Sequence, residues 1–364
     1  MLAAGALTQK GSAMTTWQEF IDSQGDGGGE QIAAGYRALR DGPAIVDRSY
    51  RALLEITGAD RGEWLHNLTT NQVKTLGRGE GNYAFTPNLQ GRILFDMNVL
   101  AFSESIWLDL DRRFLSLALK HFDKYVIAED VTVTDRTAEF VRIGLVGAEA
   151  VTIAQELGVP QAKALAWLSC VDATWKDVSL TLMRHDFCGP FGVELFVPQD
   201  DAVRLWEGLV DSSRSLPAIP VGDRAVQTRR IEAGIPWPGA EISEDYLPAE
   251  TMQLERAVSF QKGCYLGQEV IERMRSRGVV ARQLCAFEIE GEALPPSGSQ
   301  ITVDGKSVGK LTSVCHSPAR GCIFALGYLK TGVANPGASV SIAWDDATVT
   351  GTVCELPRAE AYVA

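Results

Sequence analysis

The string QKGCYLGQEV, residues 261–270, sets a single thiol between a lysine–glycine pair and an amide–carboxylate pair. Gly263 and Gly267 flank Cys264, and glycine lets a backbone take positive φ or approach a ligand closely. The continuation, GQEVIERMRSRG, reads as a short helix, so the thiol stands near a helix N-terminus with Lys262 as a neighbouring cation. A helix dipole and an ammonium both favour thiolate over thiol. Such a thiolate suits nucleophilic, redox or metal-ligating work. The plainer alternative is a buried cysteine at a loop–helix junction. Two carboxylates are the other candidates. Asp96 ends the run GRILFD among Ile93, Leu94, Phe95 and Met97, where alternation alone also allows a solvent-facing side chain. Glu232 lies in RRIEAGIP, just before a helix-breaking glycine and proline, where glutamates are ordinarily solvated.

The rest of the chain excludes several chemistries. Seven cysteines, at 170, 188, 264, 285, 315, 322 and 354, are odd in number and irregularly spaced, with no CxxC. That pattern is neither a disulfide framework nor a zinc signature and predicts a reducing, cytoplasmic setting. His66, His121, His185 and His316 lack metal spacing, and no metal site is predicted. No GxSxG elbow or dinucleotide fingerprint appears. GSQITVDGKS ends like a phosphate loop but has the wrong gap and sits in a hairpin. A net charge of −12 over 364 residues argues against stable nucleic-acid binding. The opening residues lack the basic region of a signal peptide, Met14 offers an alternative start, and no apolar run is long enough to span a membrane.

The elements that must hold these residues are mixed strands and helices. The glycine-rich DSQGDGGGE predicts a disordered extension over residues 1–30. AIVDRSYRALLEITG reads as two short strands, DRGEWLHNLTTNQV as a helix, and GNYAFTPNLQGRILFDMNVLAF as a hairpin carrying Tyr83 and Asp96. A strand, a helix and a strand close this unit. A second unit follows, with EFVRIGLVG, a helix, the two strands of SLTLMRHDFCGPFGVELFVP, and a helix with an acidic start. The pattern is α+β rather than alternating βαβα. From Arg282 the texture becomes short alternating strands with turns such as Asp304-Gly305, which predicts a small β-barrel.

The K-G-C-Y-x-G-Q-E string resembles the signature of the YgfZ family, folate-binding proteins related to the glycine cleavage T-protein (aminomethyltransferase). Further blocks support the resemblance from about residue 31 to 355. YAFTPNLQGRILFDMNV is similar to the family's folate-contacting block. RHDFCGPFGVELFVP is similar to the T-protein stretch R-T-G-Y-T-G-E-x-G-x-E, RRIEAGIPWPGAEISEDYLPAE to the R-L-E-A-G stretch, and GKLTSVCHSPARGCIFALGYL to the C-terminal barrel.

The resemblance implies a GcvT-like α+β fold. Two ferredoxin-like α+β subdomains, residues 31–136 with 219–281 and residues 137–218, pack with a C-terminal β-barrel, 282–364, around a central folate channel. It implies tetrahydrofolate or a one-carbon derivative as cofactor. Tyr83 would pack on the folate, Asp96 stand near its reactive nitrogens, Phe187 stack where T-proteins have tyrosine, and Glu232 pair with the pterin edge. Arg229 or Arg230 would meet the ligand's glutamate tail or hold Glu232. The motif residues are Lys262, Gly263, Cys264, Tyr265, Gly267, Gln268 and Glu269. Two departures from T-proteins stand out: Tyr50 replaces a histidine, and Cys264 has no T-protein counterpart. The thiol points to a folate-dependent accessory protein for iron–sulfur enzymes, with assembly or client proteins as partners, transient cluster contact and an indirect link to tRNA modification. A folate-dependent aminomethyltransferase and a non-catalytic folate-binding module stand as alternatives.

Overall fold

The computed structural model describes residues 16–24, 29–188, 191–277 and 280–357. The chain begins with α1 (Trp17–Gln24), α2 (Gly29–Arg40), β1 (Ala44–Asp47), β2 (Arg51–Thr57), α3 (Arg61–Leu68), β3 (Gly81–Pro87), β4 (Ile93–Ala101), β5 (Ile106–Asp111), α4 (Leu115–Asp123) and β6 (Thr132–Asp135). It continues with β7 (Phe140–Val146), α5 (Ala150–Glu156), β8 (Cys170–Trp175), β9 (Val178–Arg184), β10 (Gly192–Pro198), α6 (Ala202–Val210), β11 (Ile219–Val221), α7 (Asp223–Glu232), α8 (Leu254–Ala257) and α9 (Gln268–Arg277). The last strands are β12 (Arg282–Ile289), β13 (Gln300–Val303), β14 (Lys306–Ser317), β15 (Cys322–Lys330), β16 (Ser339–Trp344) and β17 (Ala347–Cys354).

The first sheet runs β3-β4-β5-β2-β6. Its core is a β2-α3-β4-β5-α4-β6 unit, the ferredoxin-like arrangement, with β3 added at the edge. The second sheet runs β11-β1-β7-β10-β9-β8 and repeats that arrangement as β7-α5-β9-β10-α6-β11. Strands β12–β17 close into a six-stranded barrel. The expected α+β fold with a terminal barrel is therefore present. Among the described residues no helix is long and apolar enough to cross a membrane.

Two boundaries differ from expectation. Residues 44–47 and 219–221 do not join the first sheet. Strand β1 lies between β11 and β7 of the second, parallel to one and antiparallel to the other. The cause is burial on both faces: Ala44, Ile45 and Val46 are 0–3 % exposed, so the strand carries no alternation to mark its sheet. Helices α2 and α7 cover this junction through Tyr36, Leu39, Ala225 and Val226. The predicted extension is also corrected in part. Residues 17–24 are helical, and Trp17, 4 % exposed, packs edge-on to Trp206 in the core of the second sheet. Three apolar residues, Trp17, Phe20 and Ile21, suffice to dock so short a helix where propensity alone would not. Residues 1–15 and 25–28 lie outside the described residues.

Alternation explains the two faces of the first sheet. Leu54, Phe95, Met97, Val99, Leu108 and Leu110 face α3 and α4 and form an apolar core. Arg51, Tyr83, Asp96, Asn98 and Asp109 occupy the other parity of their strands, toward the second sheet. Two histidines in the α3–α4 layer make this unit acid-sensitive. Burial pushes His66 and His121 down to about 4. His66 Nδ1 accepts the Val73 N–H at 3.3 Å, which needs the neutral ring. Unfolded histidine titrates near 6.5, so between about 6.5 and 4 the unfolded chain binds more protons. Stability is present above 6.5 and falls as pH drops through this window, by roughly 1–2 kcal/mol per ring once solvent screening is allowed for. Urea midpoints at pH 7 and pH 5 measure it, and His121→Phe flattens the profile.

Candidate functional site

Asp96 is 7 % exposed, not solvent-facing. Tyr83 stands opposite Asn98 in the β3–β4 ladder, one diagonal step from Asp96 on the same face. Its hydroxyl donates to Asp96 Oδ2 at 2.7 Å. The second oxygen, Oδ1, is buried and has no hydrogen-bond partner. Burial raises the Asp96 pKa, only partly offset by Arg51 and by the Tyr83 bond. A carboxyl that resists ionisation and keeps one oxygen open into a cleft is poised for proton transfer or for gripping a ligand N–H.

The cleft holds about 480 Å³ of empty space, part of it open to solvent. The first sheet contributes Arg51, Tyr83, Asp96 and Asn98, and the second unit contributes Arg48, His185 and Phe187. A third wall is the loop Ile235-Pro236-Trp237-Pro238, with Arg256 beside it. The barrel holds that wall. Glu241, fully buried, accepts from Trp237 N and Arg230 Nη1 through one oxygen and from Thr312 and Ser313 of β14 through the other.

Beneath the cleft the sheets meet through a buried ion network. Arg51 grips Asp109 with two bonds of 3.1 and 2.8 Å, and Arg142 Nη1 reaches Asp109 at 2.7 Å. Arg142 Nη2 also bonds Glu194 Oε2, which Arg48 Nη2 meets on Oε1 at 2.8 Å. His185 Nδ1 shares Oε1 at 2.5 Å. Burial raises the Glu194 carboxyl, but Arg48, Arg142 and His185 together carry it well below the usual range. Burial holds His185 below its ordinary value despite Glu194. Arg48 Nε is buried without a partner, and its guanidinium lies 3.8 Å over the Phe187 ring.

Tyr83, Asp96 and Phe187 thus converge on the cleft, although Arg48 already covers one face of Phe187. Glu232 and Arg230 do not line it. Glu232 accepts from Tyr36 at 2.7 Å, Arg229 at 2.9 Å, Ser317 at 2.5 Å and Ala319 N at 3.3 Å, which ties α7 to the barrel and fills its lone pairs. Arg229 therefore holds Glu232, and Arg230 serves Glu241. Arg48, Glu194, His185 and Trp237 were not predicted. Glu194 had one local signal, a carboxylate inside the apolar run GVELF.

The 262–269 motif also lies outside the cleft lining. Lys262 is not beside the thiol in function: its ammonium donates to the carbonyls of His66 (2.6 Å), Thr69 (2.6 Å) and Asn71 (2.8 Å). Burial pushes its pKa down to about 7. Leu266 N donates to Asn67 O at 3.0 Å, and Tyr265 is buried. Cys264 is exposed. Gly267 has φ +74°, and a Cβ there would lie 2.3 Å from the Asn88 carbonyl in the β3–β4 turn. Gly267→Ala is expected to cost at least about 2 kcal/mol in urea unfolding. Gly263→Ala, with open space around it, is expected to stay within about 0.5 kcal/mol.

Residues 1–262 match the family model GCVT N-terminal domain, and residues 282–358 match the glycine cleavage T-protein C-terminal barrel domain. The chain belongs to the glycine cleavage T-protein family. An aminomethyltransferase of Frankia alni is 29 % identical over 334 residues, covering 90 % of this chain and 87 % of the relative. One of Halothermothrix orenii is 26 % identical over 324 residues, 88 % of this chain and 90 % of the relative. A chloroplastic protein of Arabidopsis thaliana named only as a transferase is 28 % identical over 321 residues, 88 % and 72 %. The crystal structure of the Bartonella henselae glycine cleavage aminomethyltransferase T superposes with TM-score 0.81 at 19 % identity, covering 90 % of this chain and 89 % of that one, which establishes the shared fold.

Proposed function

We propose that the cleft binds tetrahydrofolate or a one-carbon derivative and that the protein acts there as a folate-dependent one-carbon transferase of the aminomethyltransferase type. The observation that carries this reading is the buried, partnerless Asp96 Oδ1 in a cleft that also holds the partnerless Arg48 Nε. A buried polar atom without a partner calls for an explanation, and for one that lines a cleft a bound ligand supplies it. An acceptor and a donor on one cleft suit a heterocycle bearing both N–H and carbonyl groups. When bound, tetrahydrofolate supplies the nitrogens that carry a one-carbon unit. Tyr83 fixes the Asp96 carboxyl, Asp96 Oδ1 holds or moves a proton, and Arg48 with Trp237 orients the ring and narrows access to water. Glu232 plays no part in this binding, because its oxygens are already taken.

Calorimetric titration of tetrahydrofolate tests the reading. Saturable binding to the wild type and turnover with a methylamine or lipoyl-carrier donor support it. Absence of saturable binding to the wild type sinks it.

A second reading, a YgfZ-type accessory role toward iron–sulfur enzymes, rests on one observation: Cys264 is exposed on a loop anchored at both sides, open to a partner protein. In cells lacking the native gene, this reading expects Cys264→Ala to fail to restore iron–sulfur enzyme activity. Full restoration by that variant rules it out.

A further inference from the structure

The outer face of α3 carries an acidic, apolar-floored groove that neither the cleft nor the barrel uses. Asp60, Glu63, Trp64, Asn67 and Leu68 line it. Their spacing of three and four residues makes one stripe along the helix. The facing wall is the loop 125–129, pinned when Trp64 Nε1 donates to the Tyr125 carbonyl at 2.7 Å. The groove encloses about 910 Å³ of empty space, open to solvent. At its lip Ile127 is 84 % exposed, a large apolar side chain presented to water.

The charge on this groove has one sign. Asp60, Glu63 and Glu129 line it and no Lys or Arg does. Of the two lysines alongside, Lys74 is paired with Glu63 and Lys124 lies 5.2 Å over the Tyr125 ring. The acidic side chains are set in place from within. Glu129 Oε2 accepts the Ile127 and Ala128 N–H groups at 2.9 and 3.0 Å, and Asp60 Oδ2 accepts the Asp130 N–H at 2.8 Å. Each keeps its other oxygen for a ligand. An apolar anchor flanked by fixed carboxylates is complementary to a segment that carries an apolar side chain beside lysines or arginines.

The groove also adjoins the thiol loop. Lys262 is bonded to the carbonyls of His66 and Thr69, and Leu266 N to that of Asn67, all at the C-terminal turn of α3. Cys264 lies between these two anchors. Two residues of chain span no more than about 7 Å, so the exposed thiol cannot stray far from Asn67 on the groove's rim.

We propose that this groove is the docking site for a cationic, apolar-anchored segment of a partner protein, and that it brings that partner beside Cys264. The site is separate from the folate cleft and stands or falls independently of it.

The probe is a fluorescein-labelled, cysteine-free dodecapeptide alternating lysine and leucine, titrated by anisotropy into the full chain at low and moderate salt. It is expected to bind and to weaken with salt. Glu129→Gln and Ile127→Ser, both at exposed positions, are expected to weaken it at least fivefold each while leaving the thermal melt unchanged. The same peptide with glutamate for lysine is expected not to bind. Bound peptide is expected to slow iodoacetamide alkylation of Cys264, read by peptide mass mapping, at least threefold. Because the whole protein is acidic, Asp345→Asn/Asp346→Asn on the barrel is the control. Equal weakening by that control, no effect of either groove variant, or an unchanged alkylation rate at saturating peptide overturns the proposal.

Discussion

Replacing Asp96 with asparagine is expected to lower one-carbon transfer by roughly 10²- to 10⁴-fold, the usual worth of a positioned acid–base group. Asparagine keeps the shape and an oxygen for the Tyr83 hydroxyl, so tetrahydrofolate binding is expected to change less than about tenfold. Stability gives an independent readout of opposite sign. The folded-state pKa of Asp96 is raised, chiefly by burial. Between the ordinary value near 3.8 and that raised value the folded chain binds more protons than the unfolded one, so this group makes stability fall as pH rises through the window. Above it, the ionised carboxylate carries its burial cost in full. A neutral amide removes that cost, and Asp96→Asn is expected to unfold at an equal or higher urea concentration than wild type at pH 7. Functional groups held against stability behave this way. Unchanged transfer with a lowered midpoint would mark Asp96 as structural instead. Comparing kcat with the calorimetric Kd separates loss of chemistry from loss of binding.

The parts of the site visible in the sequence were those written locally. Tyr83 and Asp96 sit on adjacent strands of one hairpin, and simple alternation puts them on one face. Phe187 lies in the turn between two readable strands. The barrel announced itself through repeated short strands and the Asp304-Gly305 turn, which does adopt positive φ at both residues. What stayed hidden depends on distant pairing. Arg48 meets Glu194 across 146 residues of sequence, and nothing near VDRSY marks that arginine as the partner of a buried carboxylate. Adjacency in the sequence links Lys262 to Cys264, yet three carbonyls at and just past the end of α3 are better partners for a buried ammonium than an exposed thiol. The bidentate chemistry of Glu232 suits a pterin edge. The same chemistry equally suits a tyrosine, an arginine and a serine, and the barrel supplies the serine. Residue type fixed the bond a side chain makes, while topology chose its partner.

That topology is exposed most directly by Arg142→Met. Arg142 is 2 % exposed and is the side chain that joins Asp109 of the first sheet to Glu194 of the second. Its removal is expected to cost about 3–5 kcal/mol, because it strips a partner from two fully buried carboxylates at once. Arg51 still serves Asp109, and Arg48 and His185 still serve Glu194, so neither charge is abandoned and the lower part of the range is favoured. The penalty is the desolvation of two buried carboxylates that keep only part of their compensation. The pH dependence must agree in sign. Asp109 and Glu194 have folded-state values held below the ordinary carboxylate range by their arginines, against burial that raises them. Their contribution is present above the unfolded pKa near 4 and is lost as pH falls through the folded values. Without Arg142 both carboxyls rise, and the folded state takes up its protons at higher pH. Urea unfolding from pH 7 to pH 4 is therefore expected to show the gap between Arg142→Met and wild type narrowing on acidification, because proton uptake by the variant's folded state relieves charge that Arg142 no longer compensates. A variant that unfolds within about 1 kcal/mol of wild type at pH 7 with a parallel acid profile would show that the sheets are joined by the apolar contacts of Leu53, Phe85, Met183 and Phe196 alone.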